Sequence, residues 1–169
     1  MPLYAIQATS NTTPDAGQGG LAVTSPSNTG HASSTAAASG ILDSQQRTCI
    51  WSGFGSVPGQ ITAITLKIDH TSSGGKTGVG ATNAFTLDYS VNNGSNWTNA
   101  VTRNNMTTSQ GPTTFSVALS TTQNLTQVKV RDSMSAATTS GGESADATVT
   151  IANIKIEVTL ADATLVVMM

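Results

Sequence analysis

Alternation of apolar and polar residues, repeated in several separate stretches, most limits what this chain can fold into. Ile64, Leu66 and Ile68 alternate with Thr65, Lys67 and Asp69, and Phe85, Leu87, Tyr89 and Val91 alternate with Thr86, Asp88 and Ser90. Phe115, Val117 and Leu119 alternate with Ser116 and Ala118, and Val128 and Val130 with Lys129 and Arg131. A period of two sends one face of each segment into a core and the other to water, as in antiparallel strands. Helix has no room: the one Ala cluster, Ala36-Ala37-Ala38, is closed in between Gly30 and Gly40, too short a window for a stable amphipathic helix.

The phase of the last long strand changes within it. Val149 and Ile151 occupy odd positions, whereas Ile154, Ile156, Val158 and Leu160 occupy even ones. A regular strand cannot change phase, so a bulge near Ala152-Asn153 is predicted. Shorter strands are expected at residues 3 to 8 and 48 to 54, where Cys49 and Trp51 share a face. Strands of this length, separated by Gly, Asn and Ser clusters, predict an all-β fold: an antiparallel two-sheet β-sandwich, jelly-roll-like, of about seven to nine strands.

Composition agrees. The 28 Thr and 20 Ser among 169 residues suit exposed pleats, since β-branched Thr favours strands. Only 9% of the chain is charged, against about 25% in a usual soluble domain. A net charge of -2 leaves no cationic footprint for nucleic acid. No apolar run approaches the length of a membrane-spanning helix. Met1-Pro2-Leu3-Tyr4 lacks the basic flank and apolar stretch of a secretory signal, so export is not expected.

Two stretches exceed a minimal sandwich. Residues 9 to 46 contain no Lys or Arg and form a connection so long that it is expected to be either disordered or an arm that packs on something else; the chain then divides into an N-terminal strand and extended arm over 1–46 and a sandwich domain over 47–169. The chain then ends Leu165-Val166-Val167-Met168-Met169. Such an apolar end is expected either as a core strand of its own subunit or as a strand given to a neighbour.

Signs of chemistry are few. Gly75-Lys76-Thr77 ends like a phosphate-binding loop, but His70 stands where its leading glycine belongs. Gly53-Phe54-Gly55 starts like a dinucleotide loop, but Pro58 takes the place of the third glycine. The stretch from Thr71 to Asn83 is expected to be a flexible inter-strand loop. Asp69 and His70 are sequence neighbours, and neighbours in a strand face opposite ways. Cys49, the single cysteine, permits no internal disulfide and reads as a buried small hydrophobe. A loop Ca²⁺ held by Asp132, Glu143 or Asp146 would need the fold to converge their oxygens. No catalytic, cofactor or metal site is expected, and no enzyme activity.

Ser90-Val91-Asn92-Asn93-Gly94-Ser95-Asn96-Trp97 resembles the Asp-box of sialidase-type propellers, with Asn92 and Asn96 in place of its Asp and Thr. It occurs once, so a hairpin is implied and a propeller is not. The wider stretch from Phe85 to Trp97 resembles the strand, Ser, turn, Trp passage of galactose-binding-like and discoidin-type jelly rolls. That resemblance implies a carbohydrate- or surface-binding module, with Trp97, Tyr89 and Trp51 as candidates to stack a sugar ring; large aromatics in so poor a chain are more often core. The style of the whole chain resembles virion accessory proteins of tailed bacteriophages, which decorate or cement a capsid or form fibre-like parts. This implies a structural protein of the virion, made in the host cytoplasm. Its expected partners are copies of itself, a trimer being favoured, and a major capsid or other virion protein. The candidate contact residues are Trp51, Tyr89, Trp97, Leu165, Val166 and Val167.

Overall fold

A computed structural model describes residues 2–12, 32–39 and 42–162, with 32–39 described as backbone only. Among the described residues there are ten strands and one 3₁₀ turn, Leu125–Gln127. The strands are β1 (Leu3–Gln7), β2 (Ser10–Thr12), β3 (Ala32–Ser39), β4 (Ser44–Ser52) and β5 (Ile61–Thr77). They continue with β6 (Thr82–Ser90), β7 (Thr98–Asn104), β8 (Gln110–Leu119), β9 (Lys129–Ala137) and β10 (Ser144–Leu160).

The pairing is nested. β6 pairs with β7, β5 with β8, β4 with β9 and β3 with β10, every pair antiparallel. Strands β3 to β10 thus form one long folded ribbon, and rolling it brings β10 against β5 and β9 against β6. This is the jelly roll expected from the sequence. One sheet runs β10-β5-β8, with β3 and β1 end to end along the free side of β10; the other runs β2-β4-β9-β6-β7.

The predicted faces meet between these sheets. Leu66 and Ile68 of β5, Phe85 and Leu87 of β6, Val130 of β9 and Ile156 of β10 are wholly buried in one cluster. Opposite the buried row of β10, Lys67, Lys155 and Glu157 form a polar ladder on the outer face, with Nζ to carboxylate distances of 2.8 and 2.9 Å. The bulge lies where the phase change places it: β10 pairs Ile151 with His70 and then Asn153 with Asp69, leaving Ala152 unmatched. Val149 before it and Ile154 after it are therefore both buried. The edge neighbour of β10 changes at the same place, from β3 to β1.

Two expectations are corrected. The stretch from Thr71 to Asn83 is not a loop, because β5 continues to Thr77, paired with β10 as far as Ser144. Its glycines serve close approach rather than turning. A Cβ on Gly74 would lie 2.7 Å from the Asp146 carbonyl and 2.8 Å from Asn83 Nδ2, and one on Gly75 2.7 Å from Asp146 Oδ1. Within residues 9–46, β2 and β3 add rungs to β4 and β10, and the boundary expected at 46/47 falls inside β4. The free sides of β4 and β10 offer backbone partners that a sequence pattern cannot display. Residues 163–169, with Leu165, Val166 and Val167, lie outside the described residues.

Candidate functional site

The turn from β6 to β7 is built by its own side chains. Asn93 and Gly94 adopt φ of 61° and 88°, conformations that Asn and Gly tolerate. Ser90 Oγ donates to Asn92 Oδ1 at 2.9 Å and accepts the Gly94 N–H at 2.9 Å. Asn92 Oδ1 also accepts the Asn96 N–H at 2.9 Å, so this one atom joins both ends of the turn. Asn93 N–H is fixed to the Gln127 carbonyl at 2.8 Å, tying the turn to the 3₁₀ segment.

The aromatics of the sequence reading do not form one platform. Trp97 is half-buried, with the Arg131 guanidinium 4.4 Å above its ring, a cation–π contact. Arg131 in turn grips Asp88 Oδ2 through Nε at 3.1 Å and Nη2 at 2.8 Å, and Asn99 donates to Asp88 Oδ1 at 3.0 Å. Tyr89 turns to the opposite side of its strand, where its ring lies 6.0 Å from that of Phe115. Trp51 is a correction: it is 3% exposed, a core residue. The inward phase of Cys49 and Trp51 was legible, but a buried polar partner for the indole was not foreseen.

That partner is Asp132, fully buried, whose Oδ2 accepts Trp51 Nε1–H at 2.7 Å while Oδ1 has no partner. Burial raises its pKa from 3.8 to about 7, with the indole bond opposing the shift. Cys49 faces Asp132 across the β4–β9 register. Burial first, and the neighbouring carboxylate second, push the Cys49 thiol well above its usual pKa, away from nucleophile or ligand chemistry. The signal for Asp132 was present: it stands in the inward phase of β9, between Val130 and Met134.

Glu143 is a second carboxylate with a structural role, one that its sequence neighbours do not disclose. Its Oε1 accepts Gly80 N–H at 2.7 Å, and its Oε2 accepts Thr139 N–H at 2.8 Å and Ser140 N–H at 3.0 Å. These backbone bonds lower its pKa from 4.5 to about 2 and lock the β5–β6 loop onto the β9–β10 loop. A Cβ on Gly80 would collide with Thr139 Oγ1 and the Glu143 carboxylate, so glycine is required there. The clamp holds Val79, wholly exposed, at its tip. With Asp132 in the core and Glu143 engaged, the three acids considered for Ca²⁺ do not converge. Among the described residues no group of three His, Cys, Asp or Glu side chains is placed to hold a metal.

No protein-family model and no curated protein matches the chain. Among solved structures, one of the infectious bursal disease virus Gx strain is similar at 14% identity, covering 96% of this chain and 37% of that one, with a TM-score of 0.22. One of the Gt strain of the same virus is similar at 15% identity, covering 96% and 38%, with a TM-score of 0.18. The chain spans less than two fifths of either viral chain.

Proposed function

We infer that this protein is a structural, non-enzymatic subunit of a virion, one that decorates or cements a tailed-phage capsid or another part of the particle through subunit contacts. The observation that carries the reading is β8. This strand forms the edge of its sheet among the described residues, and its ten residues, QGPTTFSVAL, include no charge. Beside it, Phe115, Val117 and Leu119 are only half-buried, as are Tyr89 and Val101 of the facing sheet. Pro112 and the register shift at Gln110 blunt only the start of this edge; from Thr113 to Leu119 it runs uncharged beside a part-open apolar seam, which invites strand pairing. The partner that fits is first a second copy of the chain, in a closed oligomer for which a trimer is the favoured state, and through it a major capsid or other virion protein. The low charge of the chain as a whole, 9%, suits a protein that lives attached to others. The glycan reading is less well supported, since Trp51 is buried, Tyr89 faces inward and Arg131 covers Trp97.

Light scattering coupled to size exclusion tests this. The full chain is expected to run as an oligomer, and Ala118→Lys to convert it to a monomer that keeps the wild-type circular dichroism spectrum and whose thermal midpoint no longer depends on protein concentration. Ala118 is exposed, so the lysine guards the edge and spares the core. A wild-type chain that stays monomeric across working concentrations overturns the assignment.

A further inference from the structure

Among the described residues, buried polar atoms lacking a side-chain partner gather at one end of the sandwich: the His70 ring, which reaches only the Ile68 backbone, Ser72 Oγ and Arg103 Nε. Burying a polar group unpaired is unfavourable, and several such groups together mark a place built for something else. His70 and Ser72, each 1% exposed, continue the inward phase of Ile64, Leu66 and Ile68 along β5. The His70 ring lies 5.7 Å from that of Phe85. Arg103 stands opposite Phe85 in the β6–β7 register, so its side chain leaves the same face of the sheet. Its Nη1 donates to Gln110 Oε1 at 3.1 Å. Gln110 is in turn the β8 residue opposite Ser72, just past a register shift.

Arg103 and Gln110 also line a cavity of about 300 Å³, together with Asn104, Asn105, Thr107 and Thr108. Lys76 Nζ donates to Asn105 Oδ1 at 3.3 Å, which brings a second cation to the rim. No carboxylate lines the cavity. The charged group on the lining is a donor, the Arg103 guanidinium, beside three carboxamides and two hydroxyls that can each donate. Burial lowers the pKa of His70, leaving a neutral ring that can donate from one nitrogen and accept at the other.

We propose that this end of the sandwich binds a small ligand through its oxyanion group, a carboxylate, phosphate or sulfate, gripped by Arg103 and the polar side chains of the β7–β8 turn. The planar guanidinium fork matches two oxygens of such a group. Nε is buried, so the grip falls to the outer end of the guanidinium, where Nη1 is released by exchanging its neutral Gln110 partner for a charged one. The volume is at the lower end for ligand sites, which selects an inorganic anion or a single acidic sugar rather than a polymer segment.

The full-length protein should be titrated with inorganic phosphate, sulfate and glucuronate, against sodium chloride at matched ionic strength. The readouts are the thermal midpoint and the Arg103 Nε–H resonance. A rise in midpoint with movement of that resonance is expected for at least one anion. A response to phosphate or sulfate identifies a free-anion site, and a response to glucuronate alone identifies a carboxylated sugar. Arg103→Gln is expected to abolish the response and Arg103→Lys to weaken it. Gln110→Glu supplies an internal carboxylate to Arg103 and is expected to abolish the response as well, should the arginine variants fail to fold. A chloride response equal to the others, no response to any anion, or an undiminished response in Gln110→Glu overturns the proposal.

Discussion

At the scale of single residues, two carboxylates give stability opposite dependences on pH. Asp132 has its pKa raised from 3.8 to about 7, so between those values the folded protein holds a proton that the unfolded chain releases. Stability therefore falls as pH rises across that window, by up to about 4 kcal/mol at about 1.4 kcal/mol per pK unit. Glu143 is lowered from 4.5 to about 2, so its contribution is complete above the unfolded value and is lost as pH falls through that interval. These two carboxylates together favour a thermal midpoint that peaks in mildly acid solution, against which the lowered pKa of His70 adds stability as pH rises toward 6.5. Asp132→Asn is expected to flatten the limb between pH 4 and 7, and Glu143→Gln to remove the acid-side loss. Scanning calorimetry across pH checks both. An Asp132→Asn variant whose midpoint still fell toward neutrality would place the titration elsewhere.

At the scale of elements, β10 shows what a sequence can and cannot disclose. Its bulge keeps Val149 and Ile151 on the same side as Ile154 and Ile156. Deleting Ala152 restores an unbroken ladder but turns one half of the strand over, and each Val or Ile turned out of the core forfeits about 1.5–3 kcal/mol. The deletion is expected to leave the chain unfolded or molten by near-ultraviolet circular dichroism. Removing exposed Ser56 from the β4–β5 loop is expected to be tolerated; equal tolerance of both would mean that the register is not fixed by phase. The bulge was legible because phase is written in residue identities alone. The inward positions of Asp132, His70 and Ser72 were legible by the same rule, although polar residues in an apolar row are easily passed over. Gly74 and Gly75 were misleading, because what they make room for, Asp146 on β10, is some seventy residues further on. The cavity at Arg103 was illegible for a related reason: Arg103 and Gln110 are near in sequence, but Ser72 and His70 arrive only through pairing of β5 with β8.

At the scale of the whole molecule, nesting imposes an order on folding. The β6–β7 hairpin closes a short turn, whereas β3 cannot meet β10 until Ser39 and Ser144 come together, and loop-closure entropy grows with the chain enclosed. Pairing should then proceed outward from the turn at Asn93-Gly94, with β1, which lies outside the nested set and joins only β10, attaching late. Topologies dominated by distant contacts fold in milliseconds to seconds. Gly94→Ala places a side chain at φ 88° and costs about 1 kcal/mol. With folding started at this turn, that loss is expected to show almost entirely as slower folding. Ile6→Ala in β1 removes part of a half-buried contact against the core. Its loss, about 1–2 kcal/mol given incomplete burial, is expected to appear as faster unfolding with the folding rate nearly unchanged. Stopped-flow chevrons of the two variants decide the matter: a folding limb slowed by Ile6→Ala and untouched by Gly94→Ala would show that the ribbon assembles from its ends rather than from its turn.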